Sequence, residues 1–121
     1  MLSAQDEPRP IFQAGDLRVD FGQQQAFLHD EALHLTPIEY RLLSELVRSP
    51  GRVLTSDYLL EKVWGMGHEG ETGLLRQAIH RLRRKIEPEP TTDSLIQNRP
   101  AVGYVFVAPL QGPGGGPTVN N

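Results

Sequence analysis

A chain of 121 residues suffices for one domain with a core and is too short for two ordinary ones. A hydrophobic fraction of 38% and a charged fraction of 22% fit a globular chain, and the lack of cysteine excludes disulfides, thiolate metal sites and cysteine nucleophiles. The formal net charge of -3, taken alone, argues against a polyanionic partner.

The longest apolar stretch, from Ala101 to Leu110, is broken by Gly and Pro and is far too short to span a bilayer. The opening residues Met1 to Glu7 have neither a basic start nor an apolar run, so no secretory signal is read and a cytoplasmic protein is expected. Residues 1–10 contain Asp6, Glu7, Pro8, Arg9 and Pro10 with little to bury, the composition of a flexible segment or linker. Residues 111–121 include Gly112-Pro113-Gly114-Gly115-Gly116-Pro117 and are expected to form a disordered tail. The ordered domain is therefore expected over 11–110.

Its first third has the period of strands. Leu17-Arg18-Val19-Asp20-Phe21 alternates strictly, placing Leu17, Val19 and Phe21 on one face. Ala26 to His29 forms a second run after the polar break Gly22 to Gln25, and Ile11-Phe12 adds an edge. Asp30-Glu31 reads as a turn, with Leu33-His34-Leu35 resuming the alternation. Strands this short and close make an antiparallel meander.

Three helices follow. Thr36-Pro37-Ile38-Glu39 has the form of a capping box with Pro at the first helical position, and Ile38, Leu42, Leu43, Leu46 and Val47 recur on one broad stripe. Ser49-Pro50-Gly51 ends this helix. Thr55 or Ser56 caps the second, which carries Leu59, Leu60, Val63 and Trp64. After a glycine-bearing loop (Gly65, Gly67, Gly70) the third helix carries a narrow stripe of Leu75, Ile79, Leu82 and Ile86. A Pro-rich connector, Glu87 to Asp93, leads to two β-rich runs, Leu95 to Asn98 and Tyr104 to Val107, read as a hairpin. The order is α+β with a helix-turn-helix inside it.

The charge is strongly segregated along this order. Between Thr72 and Ile86 lie five cations (Arg76, Arg81, Arg83, Arg84, Lys85) and no acid. Such a run makes a local positive potential on an otherwise anionic body. At about 100° per residue, with the buried stripe centred near Ile79, Gln77 and Arg84 point almost directly away from the core. Gly73, His80 and Arg81 lie beside them, and Arg76 and Arg83 fall on one flank near the core margin. A helix in a major groove needs this division: hydrogen-bonding groups in the middle for base edges, cations at the sides for phosphates. Leu74 also points outward, in reach of a thymine methyl, a partner protein or a neighbouring loop. At the hairpin turn Arg99 is the only cation, suited to the negative potential of a narrow minor groove.

Other chemistries find little support. His29, His34, His68 and His80 lack metal-ligand spacing, and the glycines at 112–116 precede no helix that a phosphate-binding loop would need. Asp57 and Glu61 share a helix face as solvated charges, and Ser44, Ser49 and Ser56 sit in no nucleophile motif. No acid, base and nucleophile converge, so neither an enzyme nor a metal- or cofactor-dependent protein is expected.

At this point several motifs agree in order and spacing with a known family. Leu35-Thr36-Pro37-Ile38-Glu39-Tyr40-Arg41-Leu42-Leu43, Gly51-Arg52-Val53-Leu54, Leu60 to Trp64-Gly65, Ile79 to Ile86 and Val102-Gly103-Tyr104-Val105-Phe106 together resemble the OmpR/PhoB family. The likeness covers about residues 11–108. It implies a winged-helix DNA-binding effector domain of bacterial response regulators, with a four-stranded N-terminal sheet, three helices and a hairpin wing. The third helix, about 72–87, would read the major groove of double-stranded DNA through Gln77, His80, Arg81 and Arg84. Arg76, Arg83, Lys85 and Arg99 would contact the DNA backbone or serve the wing. The loop Gly65, Met66, Gly67, His68, Glu69 and Gly70 would contact RNA polymerase. Members usually bind direct repeats as tandem dimers, often after phosphorylation of a receiver domain, for which these residues have no counterpart.

This sequence departs from the family pattern at Gly73 (often Arg), Leu74 (commonly Thr), Arg76 (often Asp), Ala78 (often His) and Pro100-Ala101 (usually Arg-Gly). None of these disturbs the buried stripe, but together they forbid borrowing a family operator. The wing departures, the acidic body and outward Leu74 motivate an alternative: a winged-helix module that binds protein rather than specific DNA.

Overall fold

Buried aliphatic side chains at alternate positions set the N-terminal sheet. A computed structural model describes residues 10–88 and 94–108. The segment expected at 1–10 (but for Pro10), most of the Pro-rich connector and the tail at 111–121 lie outside the described residues. Strands β1 (Ile11–Ala14), β2 (Leu17–Asp20), β3 (Gln25–Leu28) and β4 (Glu31–Ala32) form an antiparallel sheet in the order β1-β2-β3-β4. Phe12, Ala14, Leu17, Val19 and Ala26 face the core. On the partly open side the Arg18 guanidinium stacks on Phe27 at 4.3 Å and pairs with Asp30 at 3.2 Å.

The last strand is displaced from its expected place. The turn is not Asp30-Glu31 but His29-Asp30, whose φ values of 53° and 67° give the left-handed pair that a two-residue hairpin requires. Leu28 pairs with Glu31 and Phe27 with Ala32, so the strand is Glu31–Ala32 and not Leu33 to Leu35. Leu33 and Leu35 do pack on the core; Leu33 N still donates to the Ala26 carbonyl of β3 at 2.8 Å, just past the end of β4. Beyond that bond the segment leaves the sheet, although its alternating burial resembles a strand.

The three helices form where the caps and stripes place them. For α1 (Pro37–Val47), Glu39 N donates to Thr36 Oγ1 at 3.1 Å and Thr36 N donates to Glu39 Oε1 at 3.0 Å, the reciprocal capping box. Thr55 caps α2 (Ser56–Trp64) by accepting from Tyr58 N at 3.1 Å. In α3 (Thr72–Ile86), Leu75, Ala78, Ile79, Leu82 and Ile86 are buried against α1 and α2. Each large aliphatic residue of this stripe contributes about 1.5–3 kcal/mol relative to an exposed position.

Strands β6 (Ile96–Arg99) and β7 (Gly103–Phe106) form the C-terminal hairpin, and sequence periodicity missed a third partner. Leu54–Thr55, just ahead of α2, forms β5 on the other edge of β7, giving the order β5-β7-β6. Phe106 meets Phe12 edge-on, with centroids 5.5 Å apart, and so ties this sheet to the N-terminal one. The architecture is the α+β winged helix-turn-helix expected from the sequence: an N-terminal antiparallel sheet, three helices and a hairpin.

Gly103 makes the short β5 pairing feasible. A Cβ at this position would lie 1.9 Å from the Leu54 carbonyl oxygen, inside backbone that cannot yield cheaply. Gly103→Ala is expected to separate β5 from β7 and destabilise the domain by about 1–3 kcal/mol or more, read as a lowered denaturation midpoint. An unchanged midpoint would show that β5 is not held by this close approach.

Candidate nucleic-acid interface

The helix that buries the aliphatic stripe necessarily turns its other side outward. Thr72, Gly73, Leu74, Arg76, Gln77, His80, Arg81 and Arg84 are all exposed. Arg76, Gln77, His80 and Arg81 line one shallow depression, so three of the four residues expected to read bases share a surface with a flanking cation. Arg84 continues the exposed face one turn further along. Among the described residues no carboxylate pairs with Arg76, Arg81 or Arg84. The positive potential of this face is not neutralised from within the described residues.

The other two cations of the run are engaged inside the molecule. Arg83 Nε donates to the Ile96 carbonyl at 2.8 Å, joining α3 to β6. Lys85 Nζ donates to Glu39 Oε1 at 2.6 Å and to the His34 carbonyl at 2.8 Å. Lys85, expected among the backbone or wing contacts, turns its ammonium toward the start of α1, where a nearly buried carboxylate (Glu39 is 4% exposed) requires a counter-charge. The bond from Arg83 to Ile96 uses only Nε of its guanidinium.

The hairpin stands across a cleft from the start of α3. This cleft, of about 800 Å³, is lined by Thr72 and Arg76 on one wall and by Asn98, Arg99 and Ala101 on the other. Val102 N donates to the Arg99 carbonyl at 2.9 Å, closing a turn with Pro100 and Ala101 at its centre and Ala101 at φ 66°. Pro suits the first central position of such a turn, while the second favours glycine. Arg99 is exposed at this tip and Arg76 faces the same cleft, so the two flanking cations bracket it.

Between α2 and α3 the loop expected over Gly65–Gly70 is shaped by three glycines with positive φ: Gly65 at 100°, Gly67 at 95° and Gly70 at 80°. Met66 projects from it, 81% exposed. Its far end is pinned by Asp57, whose Oδ1 accepts from Gly70 N at 3.1 Å, and His68 Nδ1 lies 3.1 Å from Glu71 Oε1. Asp57, expected as a solvated charge, thus has a structural partner. A carboxylate in the first turn of a helix, 13 positions before a glycine amide, gives no local signal of that contact.

Among the described residues no group of three or more His, Asp or Glu side chains is placed to hold a metal ion, and no helix is long and apolar enough to cross a membrane.

With this geometry in place, comparison with known proteins is decisive for the family. The family described as "Transcriptional regulatory protein, C terminal" matches residues 30–106. The chain belongs to it. It is a winged-helix effector domain of the OmpR/PhoB type, a family of transcriptional regulators rather than enzymes. Over 100 residues it is 37% identical to the DNA-binding response regulator MtrA of Mycolicibacterium smegmatis, covering 83% of this chain and 44% of that protein. It is 35% identical over 105 residues to the KDP operon transcriptional regulatory protein KdpE of Escherichia coli, covering 87% of this chain and 47% of that one. The chain thus spans less than half the length of these relatives. Among solved structures, the Klebsiella pneumoniae RstA DNA-binding domain in complex with the RstA box superposes with a TM-score of 0.72 at 27% identity, covering 81% of this chain and 97% of that one. The Thermotoga maritima OmpR/PhoB homologue DrrB gives a TM-score of 0.72 at 30% identity, covering 81% and 44%.

In this OmpR/PhoB-type domain the Glu39–Lys85 pair fixes the far end of α3 to the start of α1. Burial alone would raise the Glu39 pKa, but the hydrogen bond from Lys85, those from Thr36 and the Lys85 charge together hold it below the ordinary glutamate value. A carboxyl whose pKa is lower folded than unfolded stabilises the fold above the unfolded value, about 4.3, and ceases to do so as pH falls through the folded one. Glu39→Gln is therefore expected to melt at a lower temperature than the wild type at pH 7, with the gap closing as pH falls below about 4.3. A gap independent of pH would contradict the ion pair's role.

Proposed function

We propose that this domain binds double-stranded DNA sequence-selectively and regulates transcription, with α3 in the major groove and the hairpin beside the adjacent minor groove. The observation that carries the reading is the outward face of α3, whose Arg76, Arg81 and Arg84 pair with no carboxylate among the described residues, opposite a fully buried aliphatic stripe. On it Gln77, His80, Arg81 and Arg84 offer donors and acceptors to base edges, and Arg76, Arg83 and Arg99 lie at its margins for phosphates or the minor groove. Lys85, held by Glu39, serves to position the helix. The RstA domain bound to its box supports this use of the fold.

Two further parts belong to the same reading. Tandem copies on direct repeats follow from the family resemblance. The loop from Gly65 to Gly70, with exposed Met66 and its glycine-shaped backbone, is proposed as a contact for RNA polymerase. Met66→Ala is expected to lower activated transcription in a reconstituted assay while leaving duplex affinity unchanged. Preserved activation with preserved binding would remove the polymerase contact.

Selection of duplexes from a random pool near physiological salt tests the main proposal and reports whether sites come as repeats. On the selected site, Arg81→Ala and Arg84→Ala are each expected to cost about 1–3 kcal/mol and to relax preference at one position. Arg76→Ala or Arg99→Ala should instead weaken all duplexes similarly and reduce the log-log salt slope by about 1. A module serving protein partners alone would give no saturable duplex binding at low salt.

A further inference from the structure

One side chain on the outward face of α3 does not fit the chemistry of its neighbours. Leu74 is 37% exposed, yet it lies three and seven positions before Gln77 and Arg81 and shares their side of the helix. The core is completed by Leu75, Ala78, Ile79, Leu82 and Ile86 without it. The preceding Gly73 has nothing within 4 Å of where a Cβ would stand, so neither packing nor positive φ requires glycine there. The first turn of the helix is thus slim at one position and apolar at the next, on the side that carries the base-reading candidates.

A major groove presents donors, acceptors and one apolar group, the C5 methyl of thymine. Hydrogen-bonding edges gain nothing from a leucine, whereas a methyl group removed from water against one does. We propose that Leu74 selects a thymine in the bound duplex through contact with its C5 methyl, a specificity that rests on the DNA-binding function above. Bare Gly73 lets the helix backbone approach the base edges closely enough for the short leucine side chain to reach.

The test uses the full chain and a duplex recovered by random-pool selection, remade with deoxyuridine in place of thymidine at one position at a time. That exchange removes the methyl and leaves base pairing intact. At one thymine per bound copy, the wild type is expected to lose affinity about three- to fivefold. Leu74→Ala should bind the thymine duplex weaker by the same factor and no longer distinguish thymine from uracil there. Leu74→Met, which keeps an apolar side chain, should retain the distinction. Equal melting curves for the three proteins make a folding defect no part of the result. The assignment is overturned if uracil penalises wild type and Leu74→Ala alike at every position, or if the selected sites contain no invariant thymine. Selective binding without this coupling removes the role of Leu74 alone. Loss of all saturable duplex binding removes the DNA reading and this proposal with it.

Discussion

The narrow aliphatic stripe of α3 is the constraint on which the rest of the molecule depends. Leu75, Ala78, Ile79, Leu82 and Ile86 can leave water only by seating the helix against α1 and α2, and once they do, the rotation of the helix about its axis is fixed. Every residue about half a turn out of phase with the stripe must then face away. The exposure of Gln77, His80, Arg81 and Arg84 is therefore not a separate design but the other half of the same packing. A polar, cationic surface results on a domain whose overall charge is negative.

Fixing the rotation does not fix the tilt, and here the remaining cations act. Arg83 bonds the Ile96 carbonyl on the hairpin side, and Lys85 bonds Glu39 and the His34 carbonyl on the side of α1. The two residues tether one end of the helix to both flanking layers. Glu39 is thus shared between two tasks, closing the capping box of α1 and neutralising Lys85. The opposite end of α3 has no side-chain cap and opens on the cleft below the hairpin, between Arg76 and Arg99. One end is anchored and the other faces the space that a duplex would occupy in the proposed function.

Much of this was legible in the sequence because it is local. Four letters, Thr36 to Glu39, suffice for the start of α1, and the spacing of the aliphatic residues suffices for the outward face of α3. What escaped depends on contacts between distant residues. Leu33-His34-Leu35 has the pattern of a strand, but the turn at His29-Asp30, lacking the usual glycine, starts the last strand two residues earlier, at Glu31. Strand β5 is two residues long and exists only because Gly103, far along the chain, admits it. The inward turn of Lys85 depends on a carboxylate 46 positions earlier, which no helical wheel contains. The resemblance to OmpR/PhoB domains identified the hairpin as a wing, and comparison bears out that family.

The claim that the outward face of α3 receives a duplex is tested most directly by titrating the isotope-labelled protein with a selected duplex and following its amide resonances. Saturable shifts concentrated between residues 72 and 84 and at the hairpin turn around Arg99, with the outer faces of β1 to β4 unmoved, are the result expected here. Shifts centred on the N-terminal sheet, or none that saturate, would contradict it.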